Sequence, residues 1–269
     1  MLTFLGTGAA CGVPSFYCGC KACQEAQADR RCVRTRASVL VDGPERILVD
    51  ASPDLQRQFD RERISGIDRL FLTHGHYDHM GGLGELEFFV RLARKSPLPA
   101  YMTAETATQL QNGSGFLCEC LDITLVNPGE TLEIGTVKFT ALAAQHTPGT
   151  LGFLIESSRS RRIAYVPDTG PLPAETAERL RSVDTLILDA TFWGRNWMPR
   201  DHHSVAEAIQ TGRDLRVGQL ILTHLSMHYD EPMTSQELET SLSQYGGWTR
   251  LAYDGDRLNL DWCDEEERQ

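Results

Sequence analysis

The chain has 269 residues, 41% of them hydrophobic, and a formal net charge of −11. That length holds one large α/β domain or two small ones, and it contains no apolar run of bilayer-spanning length, so no membrane contact is expected. The acidic balance argues against a nucleic-acid grip built from many phosphate contacts; a small phosphorylated substrate stays open, because a few arginines or metal ions override the global field locally.

The N-terminal Met-Leu-Thr-Phe-Leu-Gly-Thr-Gly reads as a short strand entering a glycine turn. It has neither the basic leader nor the apolar stretch of a signal peptide, and a cytoplasmic address is expected. Cys11, Cys18, Cys20, Cys23 and Cys32 follow, with Cys118 and Cys120 forming a second pair and Cys263 standing alone. In a cytosolic chain these are not expected to build a disulfide framework. Cys18-Gly19-Cys20-Lys21-Ala22-Cys23 instead offers three thiolates in six residues. That spacing nearly completes a tetrahedral metal site, whose fourth ligand must come from elsewhere. Arg30, Arg31, Arg34 and Arg36 are the densest basic run; they could meet a sugar phosphate, although most of them read as a solvated loop.

Short, β-branched apolar stretches predict strands at 37–41, 46–49, 69–72, 137–141, 151–155, 161–166, 185–188 and 219–222. Helical periodicity predicts helices at 54–62, 83–94, 105–111, 173–181, 204–215 and 235–245. The pairs 39–42/47–50 and 151–156/163–166 read as hairpins, and so do 250–253 and 258–261 around Asp254-Gly255-Asp256. Hairpins mixed with helices favour an α/β sandwich of mixed sheets over a doubly wound parallel sheet. No linker or repeat divides the chain, so residues 1–269 are expected to form a single domain with a cysteine-rich loop at 11–32.

Polar residues stand just after five of these strands: Asp50, His74, Asp168, Asp189 and His224. Loops at one sheet edge are where rigid elements deliver a functional constellation, and five such deliveries point to one site. The densest is Thr-His-Gly-His-Tyr-Asp-His at residues 73–79, where His74, His76, Asp78 and His79 put four potential ligands into six residues. Three imidazoles and a carboxylate suit Zn, Mn or Fe.

This His-x-His-x-Asp-His pattern after an apolar strand resembles the metallo-β-lactamase fold superfamily. The resemblance extends in order through Asp50, His146, Asp168 and His224, and it implies a four-layer αβ/βα sandwich of two mixed β-sheets with metals at the sheet edges. By the same resemblance His74, His76 and His146 hold one divalent ion, Mn or Zn; Asp78, His79 and His224 hold a second; and Asp168 bridges the two. Asp50 would lie outside the metals and set a histidine tautomer. Asp189 would act in the same way or cap a helix. Two such ions about 3.5–4 Å apart share and acidify a water and offset charge on a phosphoryl group, with Asp78 part of that catalytic centre. A leaving alkoxide still needs a proton. His203, at the start of a helix, is the candidate catalytic donor; His202 is its competitor, and Ser204 could be a plain helix cap.

Leu5-Gly6-Thr7-Gly8, Gly12-Val13-Pro14 and the Cys18–Cys23 loop resemble the PhnP-type branch, phosphodiesterases that act on phosphoribosyl 1,2-cyclic phosphate during phosphonate breakdown. The resemblance implies a structural zinc on Cys18, Cys20 and Cys23 plus a histidine, a small phosphorylated substrate, and a homodimer. The family's histidine position is Met227 here, and His228 comes one residue later; His228 is the expected fourth ligand, with Cys11 or Cys32 as substitutes. The related PqqB branch, an oxidoreductase or hydroxylase reading, shares a Cys-x-Cys-x-x-Cys. The tRNA 3′-processing endonucleases share the metal ligands but carry a basic arm that has no counterpart here. An exported β-lactamase fits least.

Overall fold

The structure is a computed structural model that describes residues 1–157, 161–229 and 231–260. Strands β1 (Leu2–Gly6), β2 (Ser38–Asp42), β3 (Arg46–Val49), β4 (Arg69–Phe71), β5 (Leu98–Met102) and β6 (Leu121–Leu125) run through the first half. The second half holds β7 (Thr131–Ile134), β8 (Val137–Ala143), β9 (Leu151–Ser157), β10 (Arg162–Val166), β11 (Thr185–Asp189), β12 (Gln219–Thr223), β13 (Thr249–Leu251) and β14 (Arg257–Leu258). They form two seven-stranded sheets, in the orders β14-β1-β2-β3-β4-β5-β6 and β13-β12-β11-β10-β9-β8-β7. Each sheet is antiparallel at one end and parallel at the other: β3–β6 and β10–β13 are the parallel runs.

Strand patterning explains the layering. Along β10, Ile163 and Tyr165 face the core between the sheets, while Ala164 and Val166 face outward beneath helices. Ile187 on β11 and Ile221 on β12 repeat the inward position, with Leu186, Leu188, Leu220 and Leu222 outward. Both faces are buried, so these strands read as continuous apolar runs. Phe71 of one sheet stacks on Phe139 of the other at 4.9 Å and meets Phe153 edge-on at 5.3 Å. Such aromatic pairs add about 0.5–1.5 kcal/mol each beyond their burial.

Helices cover both outer faces. In chain order they are α1 (Lys21–Ala28), α2 (Leu55–Glu62), α3 (Tyr77–Met80), α4 (Leu83–Phe88), α5 (Ala104–Ser114), α6 (Ala174–Arg179), α7 (Val205–Asp214) and α8 (Ser235–Leu242). Leu55 of α2, Leu83 and Leu86 of α4 and Leu110 of α5 seal the first sheet. Ala22 and Ala26 of α1, Ala208 and Ile209 of α7, and Leu238 and Leu242 of α8 seal the second. The result is the four-layer αβ/βα sandwich. The helix expected at 83–94 continues past α4 as a π-helical turn, Phe89–Arg94.

Two expectations are corrected. Residues 250–253 and 258–261 do not form a hairpin. β13 pairs with β12 in the second sheet, whereas β14 pairs with β1 in the first, and residue 261 lies outside the described residues, as does Cys263. The intervening turn is pinned long-range, with partly buried Asp254 accepting from Thr7 Oγ1 at 2.8 Å and from Thr35 N and Oγ1 at 2.9 and 2.6 Å. The turn residues therefore carry the chain between sheets. The arginine run is also not one solvated loop. Arg34 is fully buried, donates to Thr7 Oγ1 at 3.0 Å and Ala252 O at 2.6 Å, and lies over the Tyr253 ring; Arg36 pairs with Asp54 at 3.1 Å.

Candidate metal centre

Every ligand candidate sits at or beyond a strand's C-terminal end: Asp50 after β3, His74 after β4, His146 after β8, Asp168 after β10, Asp189 at the end of β11 and His224 after β12. That is the edge where parallel α/β sheets place their sites. The geometry strains the backbone at two of these points, since Asp50 has φ 66° and His224 φ 55°. Such left-handed conformations in non-glycine residues concentrate at functional sites.

The ligand atoms fall into overlapping groups within 4.8 Å of one another: His74, His76 and His146; His74, His79 and Asp168; Asp78, His79 and His224. His146 Nε2 lies 3.1 Å from His76 Nδ1, and His224 Nε2 lies 3.4 Å from Asp78 Oδ2 and 3.3 Å from Asp168 Oδ1. Asp168 thus stands between the two sets. His74 Nε2, His79 Nε2 and Asp168 Oδ2 are buried with no hydrogen-bond partner among the described residues. His79 Nε2 and Asp168 Oδ2 approach to 2.6 Å without the alignment of a hydrogen bond. Buried polar atoms left unpaired are costly, and converging lone pairs of this kind fit divalent cations. Burial would push the His79 imidazolium down, but Asp78, Asp168 and Asp50 raise it well above the ordinary histidine value. Burial keeps His74 neutral, well below that value, and the His79 charge adds to the effect. This excess of carboxylate around His79 is the electrostatic signature of a cation-binding pocket.

Two threonine hydroxyls that sequence reasoning missed orient the ring nitrogens facing away from the cluster. Thr73 Oγ1 lies 2.9 Å from Asp50 Oδ2 and 3.0 Å from His74 Nδ1, while His79 Nδ1 meets Asp50 Oδ2 at 2.7 Å. In the other sheet, Thr191 Oγ1 donates to Asp189 Oδ1 at 2.8 Å and lies 2.8 Å from His224 Nδ1. Each carboxylate–threonine pair fixes tautomers and turns Nε2 inward. Asp189 caps no helix; it also accepts from Thr169 N at 3.0 Å and meets His202 Nδ1 at 2.7 Å.

The geometry places His203 and His202, the expected donor and its competitor, in opposite environments. His203 is turned away from the cluster, its Nδ1 against Thr169 O at 2.7 Å and its Nε2 against Thr211 Oγ1 at 3.1 Å. His202 faces the cluster: its ring lies 4.7 Å from that of His146 and stacks on His224 at 5.5 Å. Its hydrogen bonds run through Nδ1, to Asp189 and to Thr191 Oγ1 at 3.2 Å, which leaves Nε2 without a protein partner among the described residues. Burial opposes the imidazolium, but Asp189 outweighs it and lifts His202 to about 9. Ser204 and Glu207 form a capping box at the start of α7. Gly170 lets the 200–203 segment close, because a Cβ there would strike the carbonyl of Arg200.

A second cluster gathers Cys18, Cys20, Cys23 and His228 within 4.8 Å, with Cys23 Sγ 3.3 Å from His228 Nδ1. Met227 takes up φ 42° and Met233 N donates to Met227 O at 2.8 Å. This local turn brings His228 to the thiols one residue later than the family spacing. Burial pushes the Cys23 thiol up to about 12, while the Cys20 backbone N–H lowers Cys18. Cys23 would therefore ionise near neutral pH only with a cation beside it, as a metal on this cluster would supply. Cys11 and Cys32 are not in this group; Cys11 Sγ meets Tyr229 Oη at 3.1 Å.

Residues 45–225 match the family described as Beta-lactamase superfamily domain. Octanoyltransferase of Porphyromonas gingivalis is 28% identical over 245 residues, 87% of this chain, although the chain spans about half, 47%, of that relative's length. Coenzyme PQQ synthesis protein B of Methylobacterium nodulans is 30% identical over 250 residues, covering 81% of this chain and 80% of the relative. Among solved structures, a diphosphatase from the PhnP family superposes with a TM-score of 0.83 at 28% identity, covering 97% of this chain and 98% of that one.

Proposed function

The chain belongs to the β-lactamase superfamily, and from that premise we propose that it hydrolyses a small phosphodiester, diphosphate esters included, at a two-cation centre. His74, His76 and His146 would hold one cation, Asp78, His79 and His224 the other, with Asp168 between them; Cys18, Cys20, Cys23 and His228 would hold a structural zinc. Bound at the first two positions, divalent Mn or Zn would supply a water of lowered pKa and offset phosphoryl charge.

The observation that carries the phosphodiester reading is His202. Hydrolysis joins a water oxygen to phosphorus and breaks the bond to the leaving oxygen, which must gain a proton. His202 is anchored through Nδ1 on Asp189 and packed against His146 and His224, so its Nε2 is the nitrogen available to give that proton. A carboxylate behind the imidazole holds the ring in the donating orientation and stabilises its charged form. The likeness to the PhnP-family diphosphatase over 97% of the chain supports the same chemistry. Phosphoribosyl 1,2-cyclic phosphate, which the sequence resemblance implies, is the smallest member of that substrate class.

The test is a substrate panel on protein reconstituted with Mn²⁺ or Zn²⁺. Turnover of bis(p-nitrophenyl) phosphate, with thioester and lactam untouched, is the expected result. A specific observation favours one other reading, the 30% identity to Coenzyme PQQ synthesis protein B. Oxygen consumption dependent on bound iron, with no phosphodiester cleaved, would replace the hydrolase reading with that one.

A further inference from the structure

Beside His202, aromatic side chains gather that the chemistry above does not use. Phe192 is 3% exposed and meets the His202 ring edge-on at 5.9 Å. Trp197 lies 5.4 Å from Phe192, and Tyr229 lies 5.9 Å from Phe192 and 5.2 Å from Trp197. The cluster is buried at its root and open at its rim, since Trp197 is 47% exposed. The largest side chain of the cluster is thus left half in water, on the segment that leads to His202.

The segment that carries Trp197 also carries His202, and it is tied down. Asn196 Nδ2 donates to His202 O at 2.8 Å and to Glu207 Oε2 at 2.7 Å, and Met198 N donates to Asn196 Oδ1 at 2.9 Å. His202 N donates to Met198 O at 3.0 Å. The position of Trp197 is therefore fixed relative to the proton donor. Tyr229 is held from the other side, through Cys11 Sγ at 3.1 Å and the neighbouring His228 ring at 5.3 Å. The same segment bears Arg195 and Arg200, both exposed and without an ion pair among the described residues, on a chain of net charge −11. Trp197 and the exposed Arg195 and Arg200 on one segment, with Tyr229 packed against it, suit a ligand that is planar at one end and anionic at the other.

We propose that Trp197 and Tyr229, backed by Phe192, form a subsite that stacks a planar heterocycle of the substrate, so that the preferred phosphodiester or diphosphate carries a nucleobase. This rests on the reading of the metal cluster as a phosphoester site and names the substituent that site selects. Stacking on an aromatic shelf is worth about tenfold or more in affinity per base. A structural role for the cluster makes a different prediction, because loosening the loop would weaken every ligand alike.

The test is calorimetric binding of AMP and of ribose 5-phosphate to the full-length, Mn²⁺-reconstituted protein, which needs no turnover. Wild type is expected to bind AMP about tenfold or more tightly than ribose 5-phosphate. Trp197→Ala should bring the two within about twofold by weakening AMP alone, and Trp197→Phe should restore the preference, as an aromatic face remains. Tyr229→Leu, which keeps bulk but removes the ring, should narrow the gap as well. Equal affinities in wild type, no binding of either ligand, a preference that survives Trp197→Ala, or parallel loss of both ligands would each overturn the proposal. A base preference in a protein that cleaves no phosphodiester would instead reject the hydrolase reading and leave the subsite standing.

Discussion

His202 and His203 are adjacent in sequence and opposite in environment, and spacing alone cannot separate them. The choice is made by loop closure: the Asn196 clamp and the close approach at Gly170 turn His202 toward Asp189 and leave His203 bonded to Thr169 O. On the proposed reading, replacing His202 with Ala is expected to lower the phosphodiester hydrolysis rate of the metal-replete protein by about 10²–10⁴-fold. Replacing His203 with Ala should instead lower the melting temperature more than the per-molecule rate, since it unpairs a buried carbonyl at a cost of about 1–3 kcal/mol. Equal rate losses in the two variants would contradict this assignment. Thr191 supports both His224 and His202, and its effect was hidden because a threonine carries no ligand signature. Thr191→Val keeps the shape and removes the hydroxyl; it should weaken cation binding at the cluster by about 10–100-fold, measured by titration with a metal indicator. The ligands at residues 74–79 were legible because one turn of chain delivers them together. Asp50, Asp168 and His224 were legible because apolar strands end just before them.

Among the elements, the strands with strong β-branched cores were readable, and those lacking them were not. β5 contains Pro99, and the edge strands β6 and β7 alternate with exposed polar residues, so none of the three stood out as an apolar run. The Asp254-Gly255-Asp256 turn has the local chemistry of a hairpin, but its partners lie about the whole length of the chain away at Thr7 and Thr35. Long-range pairing overrode the local signal. The cysteine loop shows the reverse case, because three thiols within six residues announced a site and only the fourth ligand needed the fold. A left-handed Met227 supplies it by presenting His228. With the proposed zinc on this loop, Cys20→Ser is expected to lower the zinc content and to lower the melting temperature more than the rate of the fraction that stays folded. A variant with unchanged zinc content and stability would show that the cluster is not a structural site.

At the scale of the molecule, the two sheets are built alike: each sends its parallel edge to the site, and each adds a carboxylate–threonine pair that aims its histidines, Asp50 with Thr73 and Asp189 with Thr191. Asp168 belongs to the second sheet but reaches His79 of the first, so the centre is assembled across the interface between the layers. The cysteine cluster draws on the N-terminal loop and the segment after β12 and shares no ligand with it. On the proposed reading, Asp168→Ala should therefore lose the cations of the His–Asp cluster while keeping metal on the cysteine cluster, and elemental analysis that finds all metal lost together would contradict two independent centres. The most direct test of the central claim joins composition to chemistry. Protein stripped of divalent cations is titrated with Mn²⁺ while bis(p-nitrophenyl) phosphate hydrolysis is followed. The account predicts that the rate appears as two equivalents fill the His–Asp cluster and is abolished in Asp168→Ala. A fully loaded cluster with no phosphodiester turnover, or a rate indifferent to Asp168, would contradict it.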